Sequence, residues 1–188
     1  MSVSRRWTVA DLEQLEPANG ERYEVIGGEL YVSKQPSWEH QEICITLGGL
    51  LEQWSRSSGL GSVSGAPGVI FSVEDAAAPD LAWVSRDRLR GGRDRAGHLT
   101  VAPELMVEVL SPGRDNERRD REVKMALYAR EGVEEYWIVD WQRRTVEVYR
   151  RAGEALALAR TLGGDDLLET PLLPGFSVPL PRIWPPTL

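Results

Sequence analysis

Apolar and polar positions repeat with two periods along this chain, and the changes of period mark its elements. From Glu21 to Val32 (ERYEVIGGELYV) two alternating runs flank Gly27-Gly28, the pattern of a β-hairpin. Ahead of it, Thr8 is placed to cap a short helix through Leu15, with Asp11 as the acid at the third helical position. Ser37 can cap a long helix to about Arg56, because Ile43, Leu47, Leu50, Leu51 and Trp54 recur at three- and four-residue steps and make one buried face. Strands are predicted over Val69–Val73 and Leu81–Val84, separated by a loop, EDAAAP. Glu104–Leu110 (ELMVEVL) is the strongest strand pattern in the chain. The loop SPGRDN follows, then a helix capped by Asn116 and running from Glu117 to about Arg130, ended by Gly132. Glu135–Asp140 and Thr145–Arg150 read as strands joined by WQRR, and short strands with a Pro-rich end complete the chain. The predicted fold is a mixed α/β domain over residues 1–188, in which a strand–helix–strand crossover (104–140) lies beside a mostly antiparallel sheet.

Composition narrows the function. A chain of 188 residues suits one well-packed domain, and 41% hydrophobic with 27% charged residues is the balance of a soluble globular protein. No apolar run reaches the ~18 residues of a membrane span, and the N-terminus has no secretory pattern. A lone cysteine, Cys44, excludes an internal disulfide framework, fits a reducing cytoplasm and sits in an apolar helical pattern as a core residue. One cysteine and two distant histidines do not make a structural zinc site. The net charge of −7 opposes general DNA affinity, so any nucleic-acid contact must come from local basic segments such as Arg86–Arg95 or Arg114–Lys124. Both segments are laced with acids and read equally as solvated, salt-bridged surface. The seven tryptophans are read as core or interface rather than base-stacking platforms.

Candidate chemistry centres on carboxylates. Asp80 opens the strand PDLAWV directly after a proline, where an aspartate also serves as an ordinary turn residue. Glu108 lies between Val107 and Val109, and a carboxylate in such a strand is costly unless paired or bound to a cation. Alternation puts Glu104, Met106, Glu108 and Leu110 on one face and Leu105, Val107 and Val109 on the other. On the next helix Asp120, Lys124 and Tyr128 follow at four-residue steps, while Val123 and Leu127 head an apolar stripe. Lys34 and Lys124 are the only lysines. Neither a nucleophile elbow, a P-loop nor a dinucleotide fingerprint is present.

Taken in order, RYEVIGGELYV, the helix with His40, PDLAWVS, PELMVEVLSPGRD, Lys124 followed by Tyr128, and GVEEYWIVD resemble the Uma-type restriction endonuclease family of the PD-(D/E)XK nuclease superfamily. The resemblance runs from about Tyr23 to Val148. It implies a restriction-endonuclease-like core, with a central mixed sheet flanked by helices, an N-terminal hairpin and extra C-terminal strands. It implies hydrolysis of phosphodiester bonds by metal-activated water, with Mg²⁺ as cofactor and Mn²⁺ as substitute; DNA is the expected substrate, and the sequence does not separate it from RNA or a branched DNA. Asp80, Glu108 and Lys124 are the implied catalytic residues; Asp80 and Glu108, joined by Glu24 of RYEV, are the implied metal ligands. His40, Asp120, Ser111 and Tyr128 are accessory candidates, and His98 is assigned no role. The superfamily lysine normally sits two residues after the second acid, where this chain has Leu110, so the assignment moves to Lys124 on the following helix. Lys124 is expected to orient water or stabilise charge, and to act as a base only if its pKa is lowered. Nuclease analogy also implies a homodimer or higher homo-oligomer in the cytoplasm. The competing reading, from the negative charge and the missing lysine after Glu108, is a catalytically inactive binding or assembly module on the same fold.

Overall fold

A computed structural model of the chain describes residues 5–16 and 21–186. Its centre is a six-stranded sheet in which one adjacent pair is parallel. We number the elements α1 (Val9–Leu12), β1 (Arg22–Ile26), β2 (Glu29–Ser33), α2 (Trp38–Ser58), β3 (Gly61–Gly65), β4 (Val69–Ser72), β5 (Asp75–Ala77), β6 (Leu81–Ser85), α3 (Arg86–Leu89) and β7 (Leu105–Val109). Then come α4 (Arg114–Arg118), a π-helical segment (Arg119–Lys124), α5 (Met125–Glu131), β8 (Glu135–Asp140), β9 (Thr145–Ala152), β10 (Ala155–Gly163), β11 (Leu167–Glu169) and β12 (Ser177–Pro179). The central sheet has the order β10-β9-β8-β7-β6-β3, and β7 and β8 are parallel neighbours joined by the predicted helical crossover. A second sheet, β2-β1-β5-β4, is antiparallel.

Both faces of the central sheet are covered, which is why β7 and β8 are buried at every position. On one face Leu105, Val107 and Val109 meet Ile43, Leu47 and Leu51 of α2, with Phe176 and Leu180 from the C-terminal segment. On the other, Met106 and Leu110 meet Leu127 and Tyr128 of α5, with Ile26 and Val69 from the second sheet. The predicted faces of β7 are the observed ones. Each such side chain contributes about 1.5–3 kcal/mol by leaving water, so a charge at Val107 would break the sheet at its centre.

Local signals explain most boundaries. Thr8 and Asp11 form a reciprocal capping box. Ser37 accepts the His40 N–H at the start of α2, and Gly59, at φ 65°, ends it in the left-handed conformation. Gly27 and Gly28 both have positive φ in the tight β1–β2 turn. Among the described residues no helix is long and apolar enough to cross a membrane.

Several expectations need correction. Helix α1 ends at Leu12 rather than Leu15, with only turns beyond. The supposed loop EDAAAP contains β5, which pairs with β1 and β4 and so builds the second sheet. Strand β3 has a sequence, GSVSG, with almost no strand propensity; it forms against β6, where a Cβ on Gly61 would stand 2.4 Å from the Val84 carbonyl oxygen. Asn116 is not a cap. The helix begins earlier, at Arg114, and the Asn116 side-chain amide donates instead to the Pro112 carbonyl. The predicted regular helix over Glu117–Arg130 is interrupted by the π-helical segment.

Candidate metal and phosphodiester site

The cleft lies where the two sheets meet, and each wall is fixed by its own element. Strand β1 brings Glu24, the residue before β6 is Asp80, and β7 brings Glu108. The first turn of α2 supplies His40, and the π-helical segment supplies Arg119 and Lys124. These six, with Arg22, Lys34 and Ser111, line one cleft. Asp120 and Tyr128 stand behind it, each buried. All eight residues singled out in the sequence therefore lie in or directly behind one cavity.

Lys124 is the hub. It is 2% exposed, and its Nζ lies 3.0 Å from Glu24 Oε1 and 2.9 Å from Glu108 Oε1, with Asp120 Oδ1 at 4.0 Å. Glu108 Oε1 also accepts from the Tyr128 hydroxyl at 2.8 Å. Glu24 Oε1 accepts the Ala78 N–H at 2.8 Å, which ties β1 to the chain leading into Asp80. Asp80 Oδ2 accepts the Val109 N–H at 2.8 Å and faces His40 Nε2 at 3.1 Å. Arg22 stands 3.7 Å from the other Asp80 oxygen. Asp120 pairs more closely with Arg119, at 3.0 Å, than with Lys124; Arg119 also reaches the Ser33 hydroxyl.

The electrostatics follow from burying four carboxyl groups together. Burial raises Glu108 well above the usual carboxylate range; Lys124 opposes this, while Asp80, Asp120 and Glu24 add to it. Burial works against Asp80 as well, but His40, Lys124 and the Val109 N–H outweigh it and hold its pKa low. Asp120 is raised by burial despite Lys124 and Arg119. Two carboxyl groups on adjacent strands thus have their pKa values pushed apart. For Lys124 burial favours the neutral amine, yet Glu108, Glu24 and Asp120 prevail and raise its pKa. These neighbours push the Lys124 pKa up, the opposite of what a lysine base requires.

Donor chemistry divides the cleft in two. Glu24, Asp80 and Glu108 offer hard oxygen donors in one cleft, Glu24 and Glu108 almost fully buried, the donor type a hard divalent cation takes. Glu108, raised by burial and by the acids around it, is a group whose charged form a cation would favour. The tighter group lies next door. Among the described residues, His40, Cys44 and Asp80 are the trio of potential ligands whose donor atoms all fall within 4.8 Å of one another. Cys44 is therefore not simply core: it is half-buried at the core's edge, with Sγ 3.6 Å from His40 Nδ1. His98 pairs with Asp94, as befits a residue given no role.

Sequence reasoning missed Arg22, Arg119 and Cys44. Arg22 is two residues from Glu24 on the same strand face, and Cys44 is one helical turn after His40, so both signals were present as spacing. Arg119 lies in Arg114–Lys124, a segment read both as a candidate nucleic-acid contact and as solvated surface, without being singled out. Of the tryptophans, Trp83 and Trp137 are buried in the core, whereas Trp38 is 78% exposed at the start of α2.

Comparisons with known proteins agree with this architecture. The family model described as Uma2, "Putative restriction endonuclease", matches residues 9–181. The crystal structure of "a putative nuclease belonging to DUF820" from Anabaena variabilis ATCC 29413 superposes with a TM-score of 0.76 at 18% identity, covering 94% of this chain and 96% of that one. The type IIG restriction endonuclease BpuSI gives a TM-score of 0.39 at 15% identity, over 80% of this chain and 16% of that one. No curated protein matches. With a family match over nearly all its length and the fold of a nuclease-like relative, the chain belongs to the Uma2 family.

Proposed function

We propose that this protein is a divalent-cation-dependent endonuclease that hydrolyses phosphodiester bonds in DNA, with Asp80, Glu108 and Glu24 as cation ligands and Lys124 as the charge-stabilising residue. The observation that carries the reading is the cluster of buried acids around one buried lysine at the floor of a cleft. Mg²⁺, or Mn²⁺ in its place, would lower the pKa of a bound water and screen the phosphate charge. The side chains supply the rest. An ammonium has three N–H donors; Lys124 gives one to Glu108 and pairs ionically with Glu24, which leaves donor capacity for a phosphoryl oxygen or the attacking water. Arg22 and Arg119 on the cleft wall offer guanidinium groups to flanking phosphates, which lets an acidic chain hold nucleic acid locally. His40 positions Asp80, Tyr128 positions Glu108, and Asp120 anchors Arg119. Ser111, on the rim, is offered as a phosphate hydrogen-bond donor.

The test is plasmid nicking with Mg²⁺ or Mn²⁺ by the wild type and by Asp80→Ala, Glu108→Ala and Lys124→Ala. Activity in the wild type and its loss in all three variants is expected; equal activity in all four would sink the assignment. The rival reading, an inactive binding or assembly module, draws support from Lys124, which already serves as internal counter-ion to Glu24 and Glu108. Calorimetry with no Mg²⁺ or Mn²⁺ binding at the cleft would favour it.

The same proposal takes residues 1–188 as one nuclease-like domain working in a reducing cytoplasm, the latter resting on the lone cysteine. It also includes self-association. Trp38 and Ile45, seven residues apart on α2, are 78% and 74% exposed beside the cleft-facing turn. Gel filtration returning a monomer at micromolar concentration would remove that element.

A further inference from the structure

We propose that His40, Cys44 and Asp80 form a second cation position, selective for zinc-like ions, that competes with the hydrolytic cation for Asp80. The inhibitory half of this statement rests on the function proposed above; the binding half does not.

Geometry carries it. His40 and Cys44 are four residues apart on α2 and so share one helix face, and that face meets Asp80 at the entrance to β6. Their donor atoms and an Asp80 carboxylate oxygen lie within 4.8 Å of one another. His40 touches both others through different nitrogens, Nε2 3.1 Å from Asp80 Oδ2 and Nδ1 3.6 Å from Cys44 Sγ, so the ring turns to give one nitrogen to a shared ion. One ring nitrogen, the sulfur and one carboxylate oxygen make three ligands of the kinds zinc uses, and an ion held by three protein groups keeps a position for solvent.

The surroundings allow entry. Asp80 is a common wall of two cavities: the cleft with Glu108 and Lys124, and a neighbouring hollow lined by Cys44, Gly48, Gly65 and Ala66. Gln41, Ile45, Val63 and Leu81 complete its lining, and Gly48, Gly65 and Ala66 leave room beside Cys44. Arg22, shared by both cavities and over a third exposed, can swing off Asp80 to admit a cation. Binding exchanges the thiol proton for the metal, with the proton released to solvent.

Selectivity follows from the donors. Thiolate and imidazole favour zinc and cobalt(II) over magnesium, whereas the Asp80–Glu108 side offers oxygen alone. An ion held by His40 and Cys44 draws on the same carboxylate that the hydrolytic cation needs. Zinc is therefore an inhibitor, and Cys44 sets the sensitivity.

The experiment is a cobalt(II) titration of reduced, tag-free protein, followed by absorption spectroscopy. The wild type is expected to develop a thiolate-to-cobalt charge-transfer band in the near ultraviolet, which zinc abolishes by displacement. Cys44→Ser should show no such band, and His40→Gln should weaken it. A wild type without the band, or a band unchanged in Cys44→Ser, overturns the proposal whatever the nicking assay gives. In Mg²⁺-supported nicking, zinc should inhibit the wild type at a concentration at least tenfold lower than Cys44→Ser. Equal zinc sensitivity overturns the competition. A cobalt band without nicking under any cation would retain the soft site and remove the hydrolase.

Discussion

Replacing Lys124 by methionine isolates the charge at the centre of the cleft, because methionine keeps most of the buried aliphatic stem. The wild-type ammonium lies 2.9 Å from Glu108 and 3.0 Å from Glu24, and all three side chains are almost fully buried. Removing one partner of a buried ion pair leaves an uncompensated charge and costs about 3–5 kcal/mol. For a chain of this size each kcal/mol moves the melting temperature by about 2–4 °C, so the variant should melt roughly 6–20 °C lower at neutral pH. A pH signature distinguishes charge from packing. Without Lys124, the folded-state pKa of Glu108 rises further above the unfolded value, about 4.3. A carboxyl raised in the folded state contributes stability that is present below the unfolded pKa and lost as pH rises through the folded pKa. The deficit relative to wild type should therefore be small near pH 4 and largest near pH 8. Urea denaturation across that range measures it. A deficit under about 1 kcal/mol at pH 8, or one independent of pH, would refute the reasoning.

Glu108→Gln keeps an acceptor for Lys124 and Tyr128 but removes a carboxyl whose pKa burial raises. By the same sign, its stability relative to wild type should increase as pH rises above the unfolded carboxyl value, and thermal melts from pH 5 to 8 will read it. Mn²⁺ at a hundred times its dissociation constant should stabilise the wild type by about 2.7 kcal/mol and leave Glu108→Gln nearly unmoved; equal stabilisation would exclude Glu108 as a ligand. Arg119→Lys cannot span both Asp120 and Ser33, and should cost about 1–3 kcal/mol in chemical denaturation; a neutral result would make that contact incidental. Deleting the exposed Glu122 should turn the π-helical segment into regular helix, since such a segment carries one extra residue, and rotate Asp120 and Arg119 about 100° away from Lys124. Circular dichroism should remain native while calorimetry shows Mn²⁺ affinity falling by about tenfold or more; unchanged affinity would detach the segment from the site.

The elements legible in the sequence are those whose own residues determine them. Helix α2 has a capping serine, a one-sided apolar stripe and a terminal glycine; β7 and β8 are mostly apolar and buried at every position because both faces of the central sheet are covered. Strand β3 was not legible, because its pairing with β6 and the close approach at Gly61 impose it from outside. Strand β5 was hidden for the same reason, as DAA becomes a strand only between β1 and β4. In the site, alternation placed Glu108 on the acidic face of β7, but Asp80, Glu24 and Lys124 came together through a resemblance rather than through spacing. Their convergence depends on the junction of two sheets and on a π-helical segment that no 3.6-residue period encodes. Cys44 is a half-met expectation. Its apolar neighbours argued for core and it does pack against the core's edge, while its position one turn after His40 puts it in the hollow beside Asp80.

The central claim is a cation held between Asp80 and Glu108, and diffraction from crystals soaked in Mn²⁺ tests it most directly. An anomalous peak within about 2.0–2.3 Å of oxygens from both side chains is the predicted result. A saturating soak that leaves both carboxylates without metal, Lys124 still bridging Glu24 and Glu108, would contradict it.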